Sequence, residues 1–308
     1  MYKQLKVAVV QASPIHFNRK ETVEKVSNLV NEASLQKPGL IVFPESFIPA
    51  YPRGLSFGTV VGSRSEKGKD IWELYYNNAV EIPGEEVRIL EDLSKKSGAY
   101  ISIGVTEKAG KSLYCTQLFI SPLKGLAGIH RKIKPTAAER IIWAEGDAST
   151  LTTFRTPFGI VGTLICWENF MPLARMAMYS KGVSIYIAPT ADTRDTWQTA
   201  IRHIAYEGKC FVISCNQFSR FEDYPQEIRD AEESYKQTGI ISGGNSAVIS
   251  PSGEYVAGPI NGTEEILFAD LDTSQVERGA FDLDVWGHYN RPDIFKFSLD
   301  GIPETIDC

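Results

Sequence analysis

Short apolar runs, rich in β-branched residues and bounded by Gly, Pro or polar side chains, recur along this chain. They cover residues 7–10, 40–43, 100–105, 117–121, 160–165, 184–188, 211–214, 247–250 and 266–269. Runs of this length predict strands. Several are too uniformly apolar to have a wet face, which predicts sheets covered on both sides. Residues 100–105 and 117–121, with Gly110 between them, predict a hairpin. Helical spacing fills other gaps. Asn18 and Glu21 form a capping-box pattern, after which Val23, Val26, Leu29, Val30 and Ala33 share one face. Residues 85–97 repeat the pattern through Val87, Leu90 and Leu93, with Gly98 as C-cap. Residues 172–181 and 195–209 are the other two helices, the latter with Trp197, Ile201, Ile204 and Ala205 on one face. The class is therefore α/β, with helices covering largely buried sheets.

Two stretches break the pattern. Residues 217–239 hold Glu222, Asp223, Glu227, Asp230, Glu232 and Glu233 against Arg220, Arg229 and Lys236, with little periodicity. Residues 56–76 are similar in character. Both read as surface excursions, which in compact folds are often functional or interfacial.

The hydrophobic fraction of 43% and charged fraction of 23% in 308 residues are those of a globular protein with a large core. No linker, repeat or low-complexity tract divides the chain, so one domain over residues 1–308 is expected, with a short tail from about residue 298. A net charge of −6 without a dense basic run argues against a nucleic-acid partner. No apolar run approaches the roughly 20 residues that span a bilayer, so no membrane partner is expected. The first residues run into a strand pattern without a signal-peptide core, which predicts a cytoplasmic protein. The five cysteines, 115, 166, 210, 215 and 308, are scattered and odd in number, unlike a disulfide framework.

Three positions stand out chemically. Cys166 ends the run Ile-Val-Gly-Thr-Leu-Ile-Cys-Trp-Glu-Asn, and Pro172 opens a helix soon after. A strand-to-helix turn exposes backbone N–H groups able to stabilise an anion. Read alone, Cys166 also fits a buried structural thiol, the commoner state. Glu45 follows Leu-Ile-Val-Phe-Pro at another strand end. Partial desolvation there raises a carboxyl toward the range of a general base, although an ordinary loop acid fits the same spacing. Lys132 lies in Gly-Ile-His-Arg-Lys-Ile-Lys-Pro-Thr, where His130, Lys132 and Lys134 share one face of an extended segment. Spacing does not separate Lys132 from a solvated basic run. Glu139, on the following segment, is a candidate partner for it.

Taken together, Phe-Pro-Glu45, His-Arg-Lys132-Ile-Lys-Pro-Thr-Ala-Ala-Glu139-Arg and Leu-Ile-Cys166-Trp-Glu-Asn resemble the three signatures of the nitrilase superfamily of carbon–nitrogen hydrolases, in the family's order. Further likeness lies in Ala-Tyr51-Pro-Arg-Gly, Ile-Trp143-Ala-Glu-Gly-Asp, Ala-Pro-Thr190-Ala-Asp192 and Gly287-His288-Tyr-Asn-Arg-Pro-Asp. These resemble the nitrilase branch, in its plant-type and related microbial members. Ala144 departs from the Gly expected after the Trp. The resemblance implies a four-layer αββα sandwich of the nitrilase type, pairing into homodimers and often into longer spirals. It implies no metal or organic cofactor, and a small-molecule nitrile as substrate. By resemblance, Cys166 is the nucleophile, Glu45 the base, Lys132 the stabilising cation and Glu139 a positioning acid. Tyr51, Trp143, Trp167 and Thr190 are the expected pocket residues.

Other classes fit parts of the sequence. A Cys–His hydrolase would need His203 or His288 to fold back on Cys166. A non-catalytic binding relative would be expected to have lost one of the three signature residues. An amidase, a cyanide-hydrolysing enzyme or a nitrile-hydrating enzyme shares the chemistry and differs in pocket shape.

Overall fold

The computed structural model describes residues 4–231 and 239–308. Each predicted run lies wholly or mostly within a strand. One seven-stranded sheet runs Glu265–Asp272, Gln4–Gln11, Leu40–Val42, Tyr100–Ala109, Ser112–Ser121 and Gly125–Arg131, with Val80–Glu81 also paired to Tyr100–Ala109. The eight-stranded sheet runs Phe218–Arg220, Ile240–Ile249, Phe211–Asn216, Ile185–Thr190, Gly159–Thr163, Thr153–Thr156 and Ile306–Asp307, with Tyr255–Asn261 on Ile240–Ile249. The strands at the centre of each sheet are parallel. The predicted hairpin pairs Ile101 with Ile120 through to Ala109 with Ser112.

The central runs are apolar throughout because alternate side chains enter different cores. Val7, Val9, Leu40 and Val42 lie between the sheets, against Ile185, Ile187, Phe211 and Ile213. Ala8, Val10, Ile41 and Phe43 face the other way, onto helices Arg19–Ser34 and Glu85–Ser97 through Val23, Val26, Val30 and Leu90. In the second sheet, Tyr186, Ala188 and Val212 face helices Pro172–Ser180 and Asp195–Gly208 through Met178, Trp197, Ile201 and Ile204. Helix, sheet, sheet and helix are thus four layers sharing three cores, the αββα sandwich. The predicted helix ends hold: the Asn18 side chain accepts from the Glu21 N–H, and Gly98 closes its helix at φ 70°.

The stretch 56–76, read from its sequence as a surface excursion, has regular structure of its own. It holds the short strands Thr59–Val60 and Ser63–Arg64 and most of the helix Glu66–Asn77, capped by Ser65. Only Gly68, Ile71 and Tyr75 are buried along that helix, a stripe too narrow to show among its charges. Within 217–239, the described part forms Phe218–Arg220, a short turn and helix Gln226–Ala231. Glu232, Glu233 and Lys236 fall outside the described residues. The edge strand Gly125–Arg131 escapes detection because Gly125 and Gly128 dilute its apolar positions. From residue 298, the tail docks on the second sheet, where Ile306 pairs with Phe154 and the Lys181 Nζ donates to the Pro303 carbonyl. Among the described residues no helix is long and apolar enough to cross a membrane.

The loop after Leu40–Val42 is pressed against the neighbouring strand. A Cβ on Gly104 would stand 2.3 Å from the Pro44 carbonyl oxygen and 2.4 Å from the Ser46 nitrogen. Backbone cannot yield as a side-chain end can. Gly104→Ala is therefore expected to destabilise the fold clearly more than Gly98→Ala, whose added methyl meets open space and costs only the left-handed conformation, about 1 kcal/mol. Denaturant unfolding of the two variants beside the parent checks this; equal midpoints would contradict it.

Candidate active site

Lys132 leaves the end of Gly125–Arg131, anchored by its N–H to the Cys115 carbonyl at 2.8 Å. Its side chain is wholly buried, and Nζ donates to Glu45 Oε1 at 2.6 Å and to Glu139 Oε2 at 2.7 Å. Burial works against the ammonium, but Glu45, Cys166 and Glu139 outweigh it and hold Lys132 well above the ordinary lysine value. Two carboxylates share this one cation. With all three ionised, the cluster carries a net negative charge in a dry setting. Glu45 is the deeper acid, and burial raises its pKa despite the opposing pull of Lys132. Its Oε2 has no hydrogen-bond partner among the described residues. Its backbone is held from the other sheet, where Gln217 Nε2 donates to the Glu45 and Ser46 carbonyls at 2.8 and 3.2 Å. Glu139 is pinned by three donors: Lys132 Nζ, the Thr136 N–H at 2.6 Å and the Tyr51 hydroxyl at 2.8 Å.

Cys166 comes from the opposite sheet, just past Gly159–Thr163. Its φ of 51° lies in the left-handed region that side chains other than Gly rarely adopt. Asn169 holds this bend, donating through Nδ2 to the Leu164 and Cys166 carbonyls, both at 2.8 Å, and accepting from the Tyr186 hydroxyl. The sulfur accepts a hydrogen bond from the Thr190 hydroxyl at 3.1 Å. Burial pushes the thiol up to about 12; Glu45 adds to that, and Lys132 and Thr190 oppose it.

A cavity of about 230 Å³ opens onto this cluster, with Cys166, Glu139, Tyr51 and Trp167 in its walls. Glu45 and Lys132 are not among the lining residues. Arg53 and Arg194 stand at the cavity as well; Arg53 donates to the Ala191 carbonyl, and Arg194 lies 4.9 Å from the Trp167 ring centroid. Asp192 joins the two sides, accepting from Trp167 Nε1 at 2.9 Å and from the Arg194 guanidinium.

Glu45, Lys132, Glu139 and Cys166 thus meet in space, with Tyr51 and Trp167 at the cavity. Thr190 is fully buried beneath the sulfur rather than in the cavity wall. Trp143 does not line the cavity either: it packs edge-on to Tyr51, centroids 5.7 Å apart, with Lys132 Nζ 6.0 Å from its ring. Cys115 also lies beside the cluster. No base is near it in sequence, yet its thiol is 3.5 Å from Glu45 Oε1. Nor does burial single out Cys166, since Cys115 is held well above the ordinary thiol value and burial pushes Cys210 up to about 12. Access to the cavity and the left-handed turn set Cys166 apart. Arg53 and Asp192 stand inside motifs already conspicuous in the sequence, whereas nothing local marks Gln217 or Cys115. No described hydrogen bond joins any histidine to Cys166. Among the described residues, no three His, Cys, Asp or Glu side chains are grouped as a metal site.

The carbon-nitrogen hydrolase family model matches residues 6–281. The chain is 45% identical to an aliphatic nitrilase of Sinorhizobium fredii, over 98% of this chain and 97% of that one. It is 46% identical to the bifunctional nitrilase/nitrile hydratase NIT4A of Lupinus angustifolius, over 97% and 87%. Among solved structures, the carbon-nitrogen hydrolase of Helicobacter pylori G27 superposes with a TM-score of 0.74 at 23% identity, covering 95% of this chain and 97% of that one. The fold, and a match that runs almost end to end, agree: this chain belongs to the carbon-nitrogen hydrolase family, in its nitrilase branch.

Proposed function

We propose that this protein hydrolyses an organic nitrile to a carboxylic acid and ammonia, as a single catalytic domain with Cys166 as nucleophile. The observation that carries the reading is the buried Lys132 ammonium between Glu45 and Glu139, beside a thiol that reaches the cavity. Glu45 takes the Cys166 proton, because the thiolate is the competent nucleophile. Sulfur bonds to the nitrile carbon as one C–N π pair moves to nitrogen. Lys132 stabilises that developing charge, and the proton on Glu45 passes to nitrogen, giving a thioimidate. Glu45 then takes a proton from water as the water oxygen bonds to the carbon, the remaining C–N π pair moves to nitrogen, and Glu45 returns the proton to that nitrogen. The C–N bond breaks with its electron pair on nitrogen, the adduct's hydroxyl proton passes through Glu45 to that nitrogen, ammonia leaves, and the oxygen closes the C=O of a thioester. A second water attacks, the C–S bond breaks, and the acid departs as the thiol is restored. Glu139 holds Lys132 in place and Tyr51 holds Glu139. Expulsion of sulfur instead of ammonia from the first tetrahedral adduct would release an amide, so both products need measuring.

Mass spectrometry of protein quenched during turnover of a slow nitrile is expected to place the acyl group on the peptide holding Cys166. Cys166→Ala should fold and lose turnover, and Cys166→Ser should be nearly inactive. An adduct on Cys115, or turnover by Cys166→Ala, would overturn the assignment.

The base must be ionised, and burial raises Glu45 above its ordinary value of 4.5. Activity is therefore present above the raised value and lost as pH falls through it. The acid limb of the kcat/KM profile should bend above pH 4.5; a profile flat down to that value would remove Glu45 as base.

We also propose a homodimer or a larger, spiral homo-oligomer. Val60, Val61, Leu173 and Tyr206 expose apolar surface that an assembly would cover. Light scattering at micromolar concentration should give at least a dimer; a monomer would contradict this.

A further inference from the structure

Lys132 and Cys166 belong to different sheets, so their separation is only as constant as whatever ties the two strand ends together. Glu168, two residues past Cys166, is fully buried and touches both ends. Its Oε1 accepts from the N–H of Ile133, the residue after Lys132, at 2.6 Å. Its Oε2 accepts from the N–H of Ile165, the residue before Cys166, also at 2.6 Å. The same Oε2 is 2.9 Å from Nε2 of His130, which is buried two residues before Lys132 on the same face of its strand. His130 Nδ1 is 3.1 Å from the Thr150 carbonyl. Thr150 O and an ionised Glu168 are both acceptors, and a neutral imidazole carries one N–H. Only the imidazolium satisfies both contacts, and it balances the buried carboxylate. Burial opposes that charge, but Glu168 outweighs it and raises His130 above the ordinary histidine value.

Neither side chain is among those lining the cavity. As a source of stability such a pair is weak, because desolvation offsets much of the attraction. An apolar replacement would fill the space but give the two backbone N–H groups no acceptor. We propose that the buried His130–Glu168 pair is a positioning device, clamping the Lys132 and Cys166 backbones to each other across the two sheets. It acts through Ile133 and Ile165 rather than on substrate. The proposal rests on Lys132 and Cys166 being the reacting residues.

The test uses the full chain with a nitrile substrate. Cys166→Ala is the first arm: if it turns over, the reading of the site has failed, independently of the clamp. With that arm inactive, His130→Gln and Glu168→Gln decide. A glutamine at 168 must turn its NH2 toward one of the tethered N–H groups, so one tether breaks. A glutamine at 130 is neutral and cannot hold both contacts. Displacement by a fraction of an ångström at the reacting atoms should lower kcat about 30-fold or more. KM should stay within about threefold, with assembly unchanged and with Cys166 alkylated more slowly by iodoacetamide. The double variant should lose little beyond the worse single one, because both break one device. Near-parental kcat in a folded single variant, a rise in KM alone, or additive losses would overturn the proposal. So would failure of both single variants to fold, which would make the pair a folding element.

Discussion

A lysine ammonium buried between two carboxylates sets the terms for the rest of this structure. Removing each ion from water costs several kcal/mol, and only close, well-directed contacts offset it. Lys132 makes two, at 2.6 and 2.7 Å, and each acid is itself held by further donors or by its backbone. Such a cluster tolerates little movement. It needs the Glu45 loop pressed on Gly104, the Glu139 turn tied to Thr136 and Tyr51, and a strand end that does not fray.

The two-sheet sandwich meets those demands because its central strands are buried on both faces. Glu45 and Cys166 follow parallel strands in opposite sheets, and Lys132 follows an edge strand of the first. The three therefore converge at one end of the inner core. Gln217, from the second sheet, braces the loop of the first, and Glu168 reaches the Lys132 strand from the Cys166 turn. Polar side chains that cross between layers do here what interdigitated apolar ones do elsewhere in the core, with more directional control. The left-handed φ at Cys166 follows the same logic: a turn that brings the buried Cys166 to the cavity wall is kept by Asn169 and Tyr186.

Much of this was legible in the chain. Alternation between two cores makes a strand apolar at every position, so the central strands announced themselves. Helices with a broad buried stripe, such as Glu85–Ser97 and Asp195–Gly208, did the same, down to the Gly98 cap. Elements that bury little were not legible: Glu66–Asn77, Ser274–Asp282 and the glycine-diluted strand Gly125–Arg131. Their stability comes from docking on neighbours, a term that local periodicity does not carry.

The sequence by itself determined the α/β class, the strand ends bearing Glu45 and Cys166 and, through three ordered signatures, the family. These depend on patterns within a few residues or on motifs that stay contiguous. Tertiary structure alone decided which charges meet. It put Lys132 between Glu45 and Glu139 and left Lys134 with the exposed Glu145, and it set Cys115, which has no base near it in sequence, against Glu45. It moved Trp143 and Thr190 out of the cavity wall and brought Arg53, Asp192 and Arg194 into it. The physical reason is range. Periodicity and propensity act between neighbours along the chain, whereas burial, ion pairing and pKa shifts arise between residues that packing brings together from distant segments.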